Sequence, residues 1–272
     1  MYLFNHIVTA AFDAVLSPFG RMPPIWGLAM VSVATGVVLV WLFGRVSNQQ
    51  RVRLLKATMK GHLLEVWIFR DQLPNVLKAE GRLMRQTGKY LLCTLPAFLV
   101  LMVPVLVIMV QLQARYGYRS VRPGEHVLLK LFADEGAMNR LAGVSLHVPA
   151  GLVAETPALR IRRTGEVDFR IGAVKEGRYK VGLEVDRQTV TKTIDVGPVR
   201  CAVSPQRSTR LVDRMLYPVE SALPAGPIAA AEVTYSPATI ALGGFHIHWV
   251  WLFLVISMAA GYALKSPLGV EL

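Results

Sequence analysis

The sequence predicts an α-helical membrane protein with three transmembrane helices and a cytoplasmic helical hairpin. An all-β, immunoglobulin-like sandwich is inserted as its ectodomain. Three observations predict this. Apolar residues form 53% of the 272 positions and gather in three long blocks rather than spreading through the chain. Basic residues crowd one of the connections between blocks, and the period of the apolar pattern changes from helical to alternating beyond residue 120.

Residues 1–24 read as an interfacial amphipathic helix. Leu3, Phe4, Ile7, Val8, Ala11, Phe12, Val15, Leu16 and Phe19 make one stripe, and Asn5, His6, Thr9, Asp13 and Ser17 take the other face. Arg21-Met22-Pro23-Pro24 then turns the chain into the first span, residues 25–43. Nineteen residues without a charge rise about 28 Å as a helix, enough for a bilayer core. The block is too long for a signal peptide and lacks a small-residue cleavage site.

Residues 44–89 carry ten Lys or Arg against three acids. Helical periodicity runs from Arg45 to Arg70 through Val52, Leu55, Met59, Leu63, Val66 and Phe69, and Pro74-Asn75 is expected to break it. A second helix, Val76 to Gly88, places Val76, Leu77, Leu83 and Met84 in the seam of an antiparallel pair resembling a short coiled coil. The second span follows at 90–112, with Pro96 and Pro104 inside it.

Only Arg21 precedes the first span, so the basic hairpin is assigned to the cytoplasm, with the N-terminus outside and the C-terminus inside. The expected location is a bacterial inner membrane with a periplasmic ectodomain. Membrane topology accounts for the net charge of +12, and DNA is not expected as a partner. The basic hairpin face satisfies the positive-inside rule and also offers a surface to anionic lipid, ribosome or another partner.

Residues 113–203 form the expected sandwich. Alternation marks strands at 126–131, 144–148, 159–163, 167–171, 179–185 and 190–196, punctuated by turns such as Thr164-Gly165-Glu166. Residues 204–242 read as a surface connection with a helix over 208–222 and a strand at 232–235. The third span is placed at 243–264, with Trp249, Trp251 and Tyr262 near its ends, and residues 265–272 form a cytoplasmic tail.

Motifs for catalysis are missing from the sequence: there is no P-loop, nucleophile elbow, GxGxxG or paired-carboxylate signature. No enzyme activity, cofactor or small-molecule substrate is therefore expected. His246-Ile247-His248 has metal-like spacing but no third ligand nearby in sequence. Cys93 and Cys201 are expected in different phases and unpaired. Within the spans the polar groups are Ser32, Thr35, Thr94, Gln111 and Ser257. Ser32 and Thr35, with Gly36 beside them, suit close helix packing, or a weakly polar groove lining into which Arg45 points.

The order of parts carries a resemblance. An outer amphipathic helix leads through proline into a span, then Arg45, a basic helical hairpin, and the entry Leu92-Cys93-Thr94-Leu95-Pro96-Ala97-Phe98-Leu99 into the second span. Over residues 1–112 and 249–264 this resembles the YidC-type membrane insertase superfamily. The three-span branch, which includes archaeal YidC-like proteins and the insertase subunit of the ER membrane protein complex, is the nearest in plan. The resemblance implies an insertase or chaperone that eases client helices into the bilayer through a groove, with Arg45, Ser32, Thr35, Thr94 and Ser257 as its lining. Membrane lipids and client membrane proteins are the implied partners. The other function consistent with the sequence is an accessory or structural membrane protein whose ectodomain binds an envelope partner.

Overall fold

A computed structural model describes residues 2–68, 73–134, 136–137, 139–185, 188–197 and 202–270. The described chain combines helices with antiparallel β-sheets, and two of the helices are long and apolar enough to cross a membrane. It divides into two compact units: Met1–Gly27 with Met109–Trp249, and Leu28–Ile108 with Val250–Leu272.

The second unit is helical. Helix α2 (Pro24–Val46) ends where Asn48 starts α3 (Gln49–Ile68). The Asn48 side-chain oxygen accepts the Arg51 N–H at 3.1 Å and its carbonyl accepts the Val52 N–H at 3.0 Å, an N-cap that ends the expected continuous helix over 45–70. Helix α4 (Leu73–Tyr116) is a single 44-residue element that covers both the expected second hairpin helix and the expected second span. Pro74, expected to break a helix, instead sits in its first turn, where a missing N–H costs nothing. The connection itself, including Gln72, lies outside the described residues. Pro96 and Pro104 both lie inside α4.

Helix α6 (Trp249–Leu264) has 16 residues, shorter than the expected third span at 243–264. The start of that block is a β-hairpin, β10 (Ile240–Leu242) and β11 (Phe245–Ile247), with Ile240 opposite Ile247. Gly243 and Gly244 both have positive φ, 56° and 90°, as a two-residue hairpin turn demands, and this fixes the chain as a hairpin instead of a helix.

The first unit opens with α1 (Tyr2–Leu16) and a 3-10 turn over Ser17–Arg21. Besides β10 and β11, its β-strands are β1 (His126–Ala133), β2 (Ser145–His147), β3 (Leu152–Ala154), β4 (Leu159–Ile161), β5 (Glu166–Ala173), β6 (Gly177–Val185), β7 (Gln188–Val196), β8 (Gln206–Ser208) and β9 (Ile228–Val233). The larger sheet runs β3-β5-β1-β9-β8 with β4 also on β5, and the smaller runs β2-β6-β7. Alternation explains the register. Leu129 lies opposite Phe169 and Val233, Leu131 opposite Val167, and Leu183 opposite Val190. These inward residues of both sheets belong to one buried cluster. Each such side chain contributes roughly 1.5–3 kcal/mol by leaving water.

Residues 204–242 are not only a surface connection. β9 lies between β1 and β8 in the larger sheet. Its sequence, Ile-Ala-Ala-Ala-Glu-Val, is buried on nearly every residue and so lacks the alternation that marks a half-buried strand. The expected helix over 208–222 shrinks to α5 (Leu211–Leu216). Cys201 lies outside the described residues.

Candidate functional site

Of the expected groove residues, the structure buries all four hydroxyls. Ser32 is fully buried and donates to the Leu28 carbonyl at 2.7 Å, and Thr35 donates to Val31 at 2.7 Å. Thr94 donates to Tyr90 at 3.0 Å and Ser257 to Leu254 at 3.2 Å. Each hydroxyl donates to its own helix one turn back and keeps its oxygen as an acceptor. A Cβ at Gly36 would collide with the Ser257 backbone and meet Ala260. Gly261 likewise faces Val40 and Gly36. α2 and α6 therefore meet through small residues, the arrangement that lets helix backbones approach closely in a membrane. Arg45 is exposed and its guanidinium stands 5.6 Å from the centre of the Trp41 ring. Phe43 meets Phe98 at 5.9 Å between ring centres, and Val270 of the tail joins Val40, Phe43, Ala97 and Leu101 in one cluster.

The most conspicuous exposed surface lies along α4. Leu77, Met84, Leu91, Leu95, Phe98, Met102 and Leu106 are all exposed, Met84 by 79%. They are spaced seven, seven, four, three, four and four residues apart, which puts them on one side of a helix. Gly81 and Gly88 lie within the same stripe with open space around them. Ala79, Thr94, Ala97 and Leu101 occupy the opposite, buried side. The stripe runs from the hairpin into the membrane-capable part of α4 without a break. At 1.5 Å per residue the helix that carries it is about 66 Å long.

A basic stripe borders it on the hairpin portion. Lys78, Arg82, Arg85 and Lys89 recur at four, three and four residues, all exposed. Arg82 touches Glu65 of α3 at 3.5 Å, and Glu65 also meets His62 at 3.1 Å. α3 adds exposed Leu54, Leu63, Leu64, Trp67 and Ile68, while Val52 supplies its buried side. Leu77 and Met84, expected in the hairpin seam, thus face outward, and Ala79 is the buried residue of that turn. A helix as short as the expected one at 76–88 carries too few apolar residues for its sequence to tell a seam from an outward stripe. The regular spacing of the four basic residues, continued as an uncharged face through Gly81 and Gly88, was its signal.

In the first unit, a cleft of about 570 Å³ is lined by Arg119, Glu125, His126, Leu128, Arg170 and Ser236. Its charges are matched internally: Arg119 grips Glu125 at 2.9 and 3.1 Å, and Glu155 takes both His126 at 2.6 Å and Arg170 at 3.0 Å. Nearby in the domain, Lys192 occupies an inward position of β7 and is fully buried. It donates to the Ser204 carbonyl at 2.6 Å and pairs with Glu220, whose other oxygen accepts the Thr193 N–H at 2.9 Å. Burial pushes the Lys192 ammonium below its ordinary range. Burial alone would raise Glu220, but the Lys192 charge and the hydrogen bonds from Lys192, Thr193 and Ser204 outweigh it and hold the carboxyl below the usual range. The pair ties β7 to the segment that carries Ser204 and Glu220.

His246 contacts Thr239 at 3.4 Å and His248 stands against Trp249. Among the described residues no group of three potential metal ligands occurs. Compared with known proteins, the chain matches no family model, no curated protein and no solved structure.

Proposed function

We propose that this chain is a membrane protein insertase or insertase-like chaperone, with α2, the apolar part of α4 and α6 as its spans. The hairpin faces the cytoplasm, and the two-sheet domain is an immunoglobulin-like sandwich on the outer side. The observation that carries the reading is the exposed apolar stripe of α4, which is continuous from the basic hairpin into the span.

A soluble surface rarely exposes so many large apolar side chains together unless something binds them. On the hairpin, Leu77, Met84, Trp67 and Ile68 offer apolar area to an emerging client helix, worth about 25 cal/mol per Å² covered. The bordering Lys78, Arg82, Arg85 and Lys89 attract anionic headgroups, at about 1 kcal/mol for each basic residue near the surface. A client sliding along α4 exchanges hairpin contacts for contacts with Leu91, Leu95 and Phe98 and then for lipid. It never exposes its whole apolar face to water. No covalent chemistry or nucleotide is needed. The close approach at Gly36 holds α2 against α6, so the moving client has a fixed wall beside it.

A photoreactive residue placed in turn at Leu77, Met84, Leu95 and Met102 tests this reading, using ribosome-bound client chains of increasing length. Crosslinks should appear first at 77 and 84 and later at 95 and 102, while position 97 on the buried side stays silent. Absence of client crosslinks at all four stripe positions would leave the accessory-protein function, with the outer domain as the working part.

A further inference from the structure

Helix α5 is built inside out. The Ser208 hydroxyl donates to Asp213 at 2.8 Å and accepts the Arg210 N–H at 3.0 Å, so the polar groups turn toward the domain. Leu211, Val212, Met215 and Leu216 are left exposed. Beside it, the Asn5 side chain donates to the Arg214 carbonyl at 3.1 Å, which brings α1 against α5. α1 in turn exposes Ile7, Ala11 and Val15, one apolar line at four-residue spacing. The turn of the β10–β11 hairpin is also apolar on both flanks: Leu242 and Phe245 are exposed, Phe245 by 73%.

α1 and the hairpin are both tied to one place, the last turns of α4, and α5 joins them through α1. Gln111 donates to the Thr9 hydroxyl at 3.1 Å, and Arg115 reaches the Thr9 carbonyl at 3.1 Å and Asp13 at 2.6 Å, which ties α1 there. The Gly117 carbonyl accepts the Ala238 N–H at 3.0 Å, and Gln113 accepts the Trp249 indole N–H at 3.1 Å, which ties the base of the hairpin to the same turns. That end of α4 is where a membrane-capable helix gives way to the β-domain. The hairpin leads directly into α6, whose 16 residues rise only about 24 Å against a bilayer core of about 30 Å. Arg210, exposed at the start of α5, supplies a charge suited to lipid phosphate.

We propose that α1, α5 and the β10–β11 tip form an apolar collar immersed in the lipid leaflet around the outer end of α4. Its occupant is the bilayer itself, acyl chains against the apolar side chains and phosphate against Arg210. The proposal rests on α4 crossing the membrane, as the proposed function does, but not on any client passing along it. An amphipathic element lying in the interface in this way anchors the domain and displaces lipid around the helix it encircles.

Spin labels on the full chain in nanodiscs test the collar, with Cys93 and Cys201 replaced by serine. Val15→Cys, Val212→Cys and Phe245→Cys report the collar, Val103→Cys the span, and Val174→Cys, on an exposed turn after β5, the aqueous reference. The collar predicts that labels at 15, 212 and 245 collide with oxygen in preference to a water-soluble nickel chelate. Their ratio should be several-fold above that at 174, as at 103. Ratios at any of the three equal to that at 174 overturn the collar while 103 remains lipid-like. Protection from both reagents, the mark of a covering protein or second copy, overturns it as well. A water-like ratio at 103 contradicts the membrane reading itself.

Discussion

Gly36 of α2 lies directly against the backbone of Ser257 in α6, with no room for a single methyl group between them. Gly36→Ala should therefore force the two helices apart and lower stability by about 1–3 kcal/mol. Gly81→Ala, in open space on α4, should raise it by about 0.5–1 kcal/mol. Thermal unfolding of both variants in one detergent measures the contrast. An unshifted midpoint for Gly36→Ala would remove the close seam.

Ser32 and Thr35 separate a polar groove from a packed seam. Both hydroxyls bond only one turn back, and both are buried. Ser32→Ala with Thr35→Val should change stability by less than about 1 kcal/mol and leave client insertion unaltered. Arg45→Ala, which removes a side chain over Trp41, should be equally silent. Slower insertion of clients with charged tails in either variant would favour a polar groove over a packed seam.

Glu220 gives the β-domain an acid limit. Its folded pKa is held below the unfolded value of about 4.3. The unfolded state therefore binds the proton more readily. The stabilisation is complete above the unfolded value and is lost as pH falls through the folded one. Glu220→Gln should flatten that acid loss. Glu220→Ala, which leaves Lys192 buried without its partner, should cost about 3–5 kcal/mol. Near-ultraviolet circular dichroism of the full chain between pH 2 and 7, read with a helical-region control, follows the transition.

Topology has its own test. Lys60 on α3 and Glu176 on the turn before β6 are both exposed. Lys60→Cys should react with an impermeant thiol reagent only from the cytoplasmic side and Glu176→Cys only from outside. The reverse pattern would invert the assignment from basic residues and leave the hairpin unable to meet clients.

Much of the fold was legible because its signals are local. The apolar run at 25–43, the stripe of α1 and the alternation of β1, β5, β6 and β7 each state their period within a dozen residues. β9 was hidden because Ala229, Ala230 and Ala231 are buried without alternation, so only the pairing with β1 reveals them as a strand. Hydropathy extends the third apolar block across Gly243 and Gly244, where the backbone turns the chain and α6 has not yet begun. The partners of the expected groove hydroxyls were not legible, because the carbonyls that Ser32, Thr35 and Thr94 bond one turn back carry no mark in the sequence. The stripe of α4 was legible only once helix and hairpin became one element.

The central claim is tested most directly by reconstituting the purified chain into liposomes and scoring protease protection of a client helix with a short outer tail. Leu77→Glu with Met84→Glu places charge on the exposed stripe and should alter stability by no more than about 0.5 kcal/mol. The wild type is expected to insert the client well above empty liposomes, and the double variant to fall back close to the empty level. Equal insertion by wild type, variant and empty liposomes would contradict the insertase function.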